Sequence, residues 1–140
     1  MEQNEYFIIG QMSGTSLDGV DIVYVKIGFN KKYYFEILKC QTVCYSSEWK
    51  QNLINGFNLS GDSLKMLDAD YGVLLANIIS NFIKENNIEK IDFIASHGHT
   101  IFHKPKLGYT LQIGNGPEIH SLTNIKTICD FRVQDVALGG

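Results

Sequence analysis

Residues 10–21, reading GQMSGTSLDGVD, are a Gly/Ser/Thr/Asp turn held between two apolar runs, residues 6–9 and 20–27. The second run is rich in β-branched and aromatic residues, so both flanks read as strands and the middle as their connection. Gly10, Gly14 and Gly19 permit positive φ or a close backbone approach to a ligand. The exposed N–H groups of such a turn, with the hydroxyls of Ser13, Thr15 and Ser16, are donors suited to phosphate oxygens. Asp18 and Asp21 are hard oxygen ligands able to face Mg²⁺ directly or through water. The strand-to-helix phosphate loop is excluded, because no Gly-Lys-Ser/Thr follows and the next element is a strand. A glycine-rich turn between strands is in most chains only a turn, so the phosphate reading needs support from elsewhere.

The elements that follow supply a context. Residues 33–43 read as a third strand joined to the second by an Asn-Lys-Lys turn, giving an antiparallel meander. Ser46 or Ser47 caps a short helix ending near Gly56, and Asp62 or Ser63 caps a longer one. On that helix Leu67, Tyr71, Leu74, Leu75, Ile78, Ile79, Phe82 and Ile83 recur at steps of three and four, which marks a core face. Residues 91–96 read as a buried strand, 110–113 as another, and 117–122 as a helix opened by Pro117 and stopped at Asn124. Residues 126–129 read as a last strand, with Asp135 in the loop that leaves it.

Bulk properties narrow the partners. The 140 residues suffice for one domain with a real core, and the net charge of -3 gives no pull toward nucleic acid or an anionic membrane. The polar, acidic start at residues 1–5 is wrong for a secretory signal, and no apolar run reaches the length of a membrane span. Cys40, Cys44 and Cys129 have no paired spacing and read as buried, reduced thiols in a cytoplasmic protein.

Three antiparallel strands, then helix, strand, helix, strand, is the order of the ribonuclease H-like layer found in sugar kinases and actin. The expected fold class is therefore α/β, an actin-like ATPase half with a mixed sheet flanked by helices. Four blocks sharpen this: residues 12–21 (MSGTSLDGVD), 96–100 (SHGHT), 110–114 (TLQIG), and 130–132 (DFR) with Asp135 and Gly139-Gly140. In that order, from end to end of the chain, they resemble the anhydro-N-acetylmuramic acid kinases. The family shows Gln where His99 stands and Gly where Asn124 stands. Its members are more than twice this long, so the chain reads as the N-terminal portion, residues 1–140, of a kinase whose second lobe is absent.

The resemblance implies an ATP- and Mg²⁺-dependent enzyme of cell-wall recycling. It opens the 1,6-anhydro bridge of its amino sugar with water and phosphorylates the freed O6. It also implies roles: Gly14, Thr15, Ser16, Leu17, Asp18, Gly19, Val20 and Asp21 on the nucleotide, with Asp18 toward Mg²⁺ directly or through water. His97, Gly98, Thr100, Asp130 and Arg132 fall on the sugar, and Asp135 matches the family's general base. A full-length homodimer is compatible with it. From the residues alone, His97 and His99 share a strand face without a third metal ligand, and Asp130 and Arg132 can pair with each other instead of facing a ligand. A related phosphotransferase, or a non-catalytic piece that binds sugar or nucleotide, stays open as an alternative.

Overall fold

The computed structural model describes residues 5–140; the polar start read above lies, for residues 1–4, outside them. The chain opens on β1 (Glu5–Ser13), β2 (Gly19–Asn30) and β3 (Lys32–Cys44), an antiparallel meander. Then come α1 (Ser47–Asn55), α2 (Gly61–Glu85) and β4 (Phe93–Lys104). The last elements are β5 (Tyr109–Ile113), α3 (Gly116–Thr123), β6 (Thr127–Ile128) and α4 (Phe131–Ala137). The sheet runs β3-β2-β1-β4-β5, with β6 pairing alongside β4. β4 is parallel to both β1 and β6, so the crossover through α1 and α2 returns the chain to the middle of the sheet.

The caps show why the helices start where they do. Ser46 accepts from the Trp49 N–H, as expected, but α2 is capped by Ser60, two residues ahead of Asp62, through the Ser63 N–H. At the far end of α2, Asn87 takes the left-handed conformation, and Asn124 does the same after α3. The apolar stripe of α2, including Tyr71, Leu75, Ile79 and Phe82, packs on Ile9, Ile22, Ile94 and Ile113 from the sheet. Each such side chain contributes about 1.5–3 kcal/mol on leaving water.

Three expectations need correction. The segment after β6 is a helix: Asp130 stands at its N-cap with φ 63°, so Arg132 and Asp135 belong to α4 and not to a strand face or a loop. The histidine segment is no strand end, since β4 runs through it to Lys104. Cys40 and Cys44 are exposed on β3, and Cys129 is half-buried; none is bonded to another. Among the described residues no helix is long and apolar enough to cross a membrane.

Candidate functional site

The turn between β1 and β2 is a shallow, open structure. Thr15, Ser16 and Asp18 are exposed, while Gly14 and Leu17 are half-buried. Its one internal backbone hydrogen bond joins the Leu17 N–H to the Gly14 carbonyl at 3.4 Å, and Leu17 takes φ 59°. The Ser16 hydroxyl donates to the Asp18 carboxylate, and that bond, with the Asp18 backbone N–H, holds the Asp18 carboxyl below its ordinary pKa. Asp18 is thus an anion at the end of the turn, its charge met by the turn's own donors.

The remaining residues of that block also make contacts within the scaffold. Val20 is fully buried in the core. A Cβ on Gly19 would stand 2.4 Å from the Val43 carbonyl oxygen, so β2 and β3 close up only around glycine there. Asp21 accepts from the Thr42 hydroxyl at 2.5 Å across the strand pair. Ser13 is buried and its hydroxyl is engaged by neighbours, which removes it from the donors facing outward.

Ser13 pairs with His99 in the sheet, so the turn begins beside the histidine segment of β4. That segment does not alternate. Gly98 has φ 73°, and the β1–β4 register shifts between Gln11 and Ser13. The result puts Ser96 and His99 on the helix-covered side, against Gln11 and Ser13 respectively. His97 and His99 therefore do not share a face, and the described residues contain no group of three His, Cys, Asp or Glu placed to hold a metal ion. A Cβ at Gly98 would sit 2.2 Å from the Ile113 carbonyl oxygen, so this glycine permits close packing of β4 on β5.

Behind the segment lies a polar cavity of about 370 Å³ bounded by α2, β4, β5 and the start of α3. Lys65, Asp68, His97, Gln112, Asn115 and Asp130 line it. Asp68 organises one wall: its carboxylate accepts from the Gly114 N–H at 2.9 Å and from Lys65 at 2.7 Å. Its backbone carbonyl accepts from the Asn115 N–H at 3.3 Å. The side-chain carbonyls of Gln112 and Asn115 are buried without a hydrogen-bond partner. Buried acceptors of that kind are costly unless a ligand or water supplies a donor. A larger groove of about 710 Å³ opens on the other side of the sheet, but its walls are mainly apolar, including Met12, Val23, Ile37 and Phe131.

Of the residues expected on a sugar, the polar cavity brings together His97 and Asp130. Gly98 is buried, and Thr100 accepts from the Gln112 side chain at 3.2 Å. Arg132 lies 3.2 Å from His103 Nε2 through Nη2. Asp135 is exposed on α4 and lines neither cavity. Sequence reasoning missed Asp68, Gln112 and Asn115. Gln112 sits inside one of the quoted blocks and Asn115 directly follows it, whereas Asp68 lies on the polar flank of a helix read only for its core stripe.

A mixed sheet that opens on an antiparallel meander, is flanked by helices and carries a donor-rich turn between its first two strands is half of an actin-like ATPase. The anhydro-N-acetylmuramic acid kinase family profile matches residues 6–140, and the chain belongs to that family. The anhydro-N-acetylmuramic acid kinase of Microcystis aeruginosa is 38% identical over 141 residues, covering 95% of this chain and 37% of that protein. That of Xylella fastidiosa is 38% identical over 140 residues, 94% of this chain and 37% of the relative. That of Bacillus thuringiensis is 35% identical over 145 residues, with 96% and 38% covered. The chain thus spans 37–38% of the length of these curated relatives.

Proposed function

We propose that residues 1–140 provide the nucleotide-phosphate turn and part of the sugar site of an ATP- and Mg²⁺-dependent cytoplasmic kinase. Its reaction is hydrolysis of the 1,6-anhydro bridge of anhydro-N-acetylmuramic acid with phosphorylation of O6, which yields N-acetylmuramic acid 6-phosphate for cell-wall recycling. The observation that carries this reading is an open turn at residues 14–18 together with a polar cavity that holds unpaired acceptors, in a chain whose relatives are named for that activity.

Chemistry fits the residues present. Backbone N–H groups at 14–16 and the hydroxyl of Thr15 meet phosphate oxygens. Asp18, being anionic, would repel phosphate unless a cation stood between them. Mg²⁺ keeps several waters and binds through one or two carboxylates plus phosphates, so a single exposed Asp is a sufficient protein ligand. Such an ion would offset charge on the transferring phosphoryl group. In the cavity, the carbonyls of Gln112 and Asn115 accept from sugar hydroxyls, and His97 and Asp130 complete the polar wall.

The water that opens the bridge must lose a proton, and a carboxylate within hydrogen-bond reach of it supplies general base catalysis. Asp135 carries that role by its match to the family motif, while Asp130 is the carboxylate of the two that lines the cavity. The test is direct: the intact protein is incubated with ATP, Mg²⁺ and anhydro-N-acetylmuramic acid, and the products are separated. Formation of the 6-phosphate sugar is the expected result; ATP consumption only with a different sugar, or none with any, overturns the assignment.

A further inference from the structure

Beneath the turn, a row of buried hydroxyls connects three elements to Ser13. Tyr71, on α2, and Tyr45, in the link between β3 and α1, hold their hydroxyls 2.6 Å apart. The Tyr45 hydroxyl donates to Ser13 Oγ at 2.5 Å, and Ser13 Oγ stands 2.9 Å from His99 Nδ1. All four side chains are at most 8% exposed, so bulk water is not an alternative partner. Each hydroxyl has one proton to give. Because Tyr45 gives its proton to Ser13, the contact with Tyr71 uses the Tyr71 proton, and the Ser13 proton goes to Nδ1 of a neutral His99. The row therefore runs one way, from Tyr71 through Tyr45 and Ser13 to His99.

Tyr45 also reaches the other side of the turn. Its backbone N–H donates to the Asp18 carbonyl at 3.3 Å. One residue thus holds both ends of a turn that has a single long internal hydrogen bond and a leucine in the left-handed region, a conformation bulky side chains adopt only under constraint. Donors must be fixed in advance if they are to act on phosphate without reorganising.

We propose that Tyr45 and His99 are positioning residues for nucleotide, acting through Ser13 and Asp18 to fix the donors of residues 14–16. The proposal rests on the kinase reading above. The direction of the row requires His99 to be neutral, with its proton on Nε2. Burial, reinforced by the neighbouring His97, lowers the His99 pKa and favours that form. The groups facing His99 are Ser13 from β1, the Tyr71 ring at 6.3 Å from α2, and His97 on its own strand, with Tyr45 behind Ser13. None of them is a carboxylate that would hold a proton on the ring.

Three variants of the intact protein test this. Tyr45→Phe keeps the ring and the backbone N–H but deletes the donor to Ser13. His99→Leu deletes the acceptor, and His99→Gln offers an amide oxygen in its place. Tyr45→Phe and His99→Leu should raise KM for ATP roughly tenfold, the factor of one buried hydrogen bond, with KM for the sugar unchanged. His99→Gln should return KM for ATP close to the parent value. A merely structural row would lower the melting temperature and leave the two KM values moving together. Unchanged KM for ATP in Tyr45→Phe, or an equal rise in both constants, overturns the proposal. A second readout is independent of turnover: ring ¹⁵N shifts of His99 at neutral pH should show the proton on Nε2, and a proton on Nδ1 reverses the row and sinks it. A parent protein that forms the expected tautomer yet never binds ATP would instead overturn the kinase reading on which the proposal stands.

Discussion

The guanidinium of Arg132 lies 3.2 Å from Nε2 of His103, across the gap between α4 and the far end of β4. His103 accepts there, so its Nδ1 proton goes to Thr110 Oγ1 at 3.2 Å, which in turn donates to the Phe102 carbonyl. Arg132 is thereby committed to the β4–β5 hairpin, and none of the ion pairs among the described residues includes Asp130. Asp130 is left facing the polar cavity, where the neighbouring cation is Lys65, itself held by Asp68 at 2.7 Å.

That relationship separates two carboxylates five positions apart. Asp130→Asn should weaken sugar binding and turnover in the intact protein, since it changes a cavity wall. Asp135→Asn, on α4, should stay within about 0.5 kcal/mol in stability and keep both substrates bound, while turnover falls by the ~10²–10⁴ of a lost general base. Steady-state kinetics of both variants decide between them. If Asp130→Asn alone shows that loss with both substrates still bound, the base is Asp130 and not Asp135.

Gly14→Val tests the turn. A Cβ at Gly14 meets only Ser16 Oγ at 3.3 Å and the Ser16 backbone nitrogen at 4.0 Å, so the fold has room for it. The Ser16 N–H is among the donors that phosphate would approach, and the added side chain would stand in that path. The variant should therefore melt within a few degrees of the parent but lose ATP binding by calorimetry; retained affinity would remove the turn from the nucleotide site.

Gly98→Ala should fail for a different reason. It places a non-glycine residue at φ 73°, costing roughly 1–3 kcal/mol, and drives a Cβ to 2.2 Å from the Ile113 carbonyl. Urea unfolding should show a large loss of midpoint or no folded baseline. A near-normal midpoint would mean that β4 and β5 can separate and that Gly98 serves the ligand directly.

Periodicity and capping chemistry made most of the architecture legible. The meander, the α2 stripe from Leu67 to Ile83 and the left-handed stops at Asn87 and Asn124 follow from residue types alone. The site was legible only in part, because its geometry depends on contacts far apart in sequence. Gly98 breaks the alternation that put His97 and His99 on one face, and that register shift answers to β1, 85 residues away. Asp130 and Arg132 alternate like a strand because nothing local signals that β6 ends after two residues. Cys40 and Cys44 sit in a run rich enough to read as buried, yet β3 is the sheet's edge and is exposed along nearly its whole length.

That edge leads to a prediction for residues 1–140 expressed alone. Tyr33, Phe35 and Ile37 are 83%, 72% and 57% exposed, and with Phe29, at 51%, they form an apolar patch on β2 and β3. Patches of this kind drive association. Sedimentation velocity should show concentration-dependent self-association of the isolated chain, reduced by Phe35→Glu. A monomer at all concentrations would show that the patch tolerates water.

His99 gives the stability a pH dependence whose sign can be worked out. Its pKa in the folded chain lies below the ordinary 6.5, because burial and His97 disfavour the imidazolium. Protonation would also reverse the proton between Nδ1 and Ser13, against the donor from Tyr45. The unfolded chain therefore binds more protons near that pH, and stability rises with pH across the interval. The contribution is fully present above about pH 6.5 and is lost as pH falls toward the folded-state pKa. His99→Gln has no such group but keeps an acceptor for Ser13. Urea midpoints at about pH 7.5 and about pH 5.5 should therefore differ less in His99→Gln than in the parent, with the gap closing from the acid side. The same pH sensitivity in both proteins would place the titrating group elsewhere and leave His99 charged or neutral without consequence for the fold.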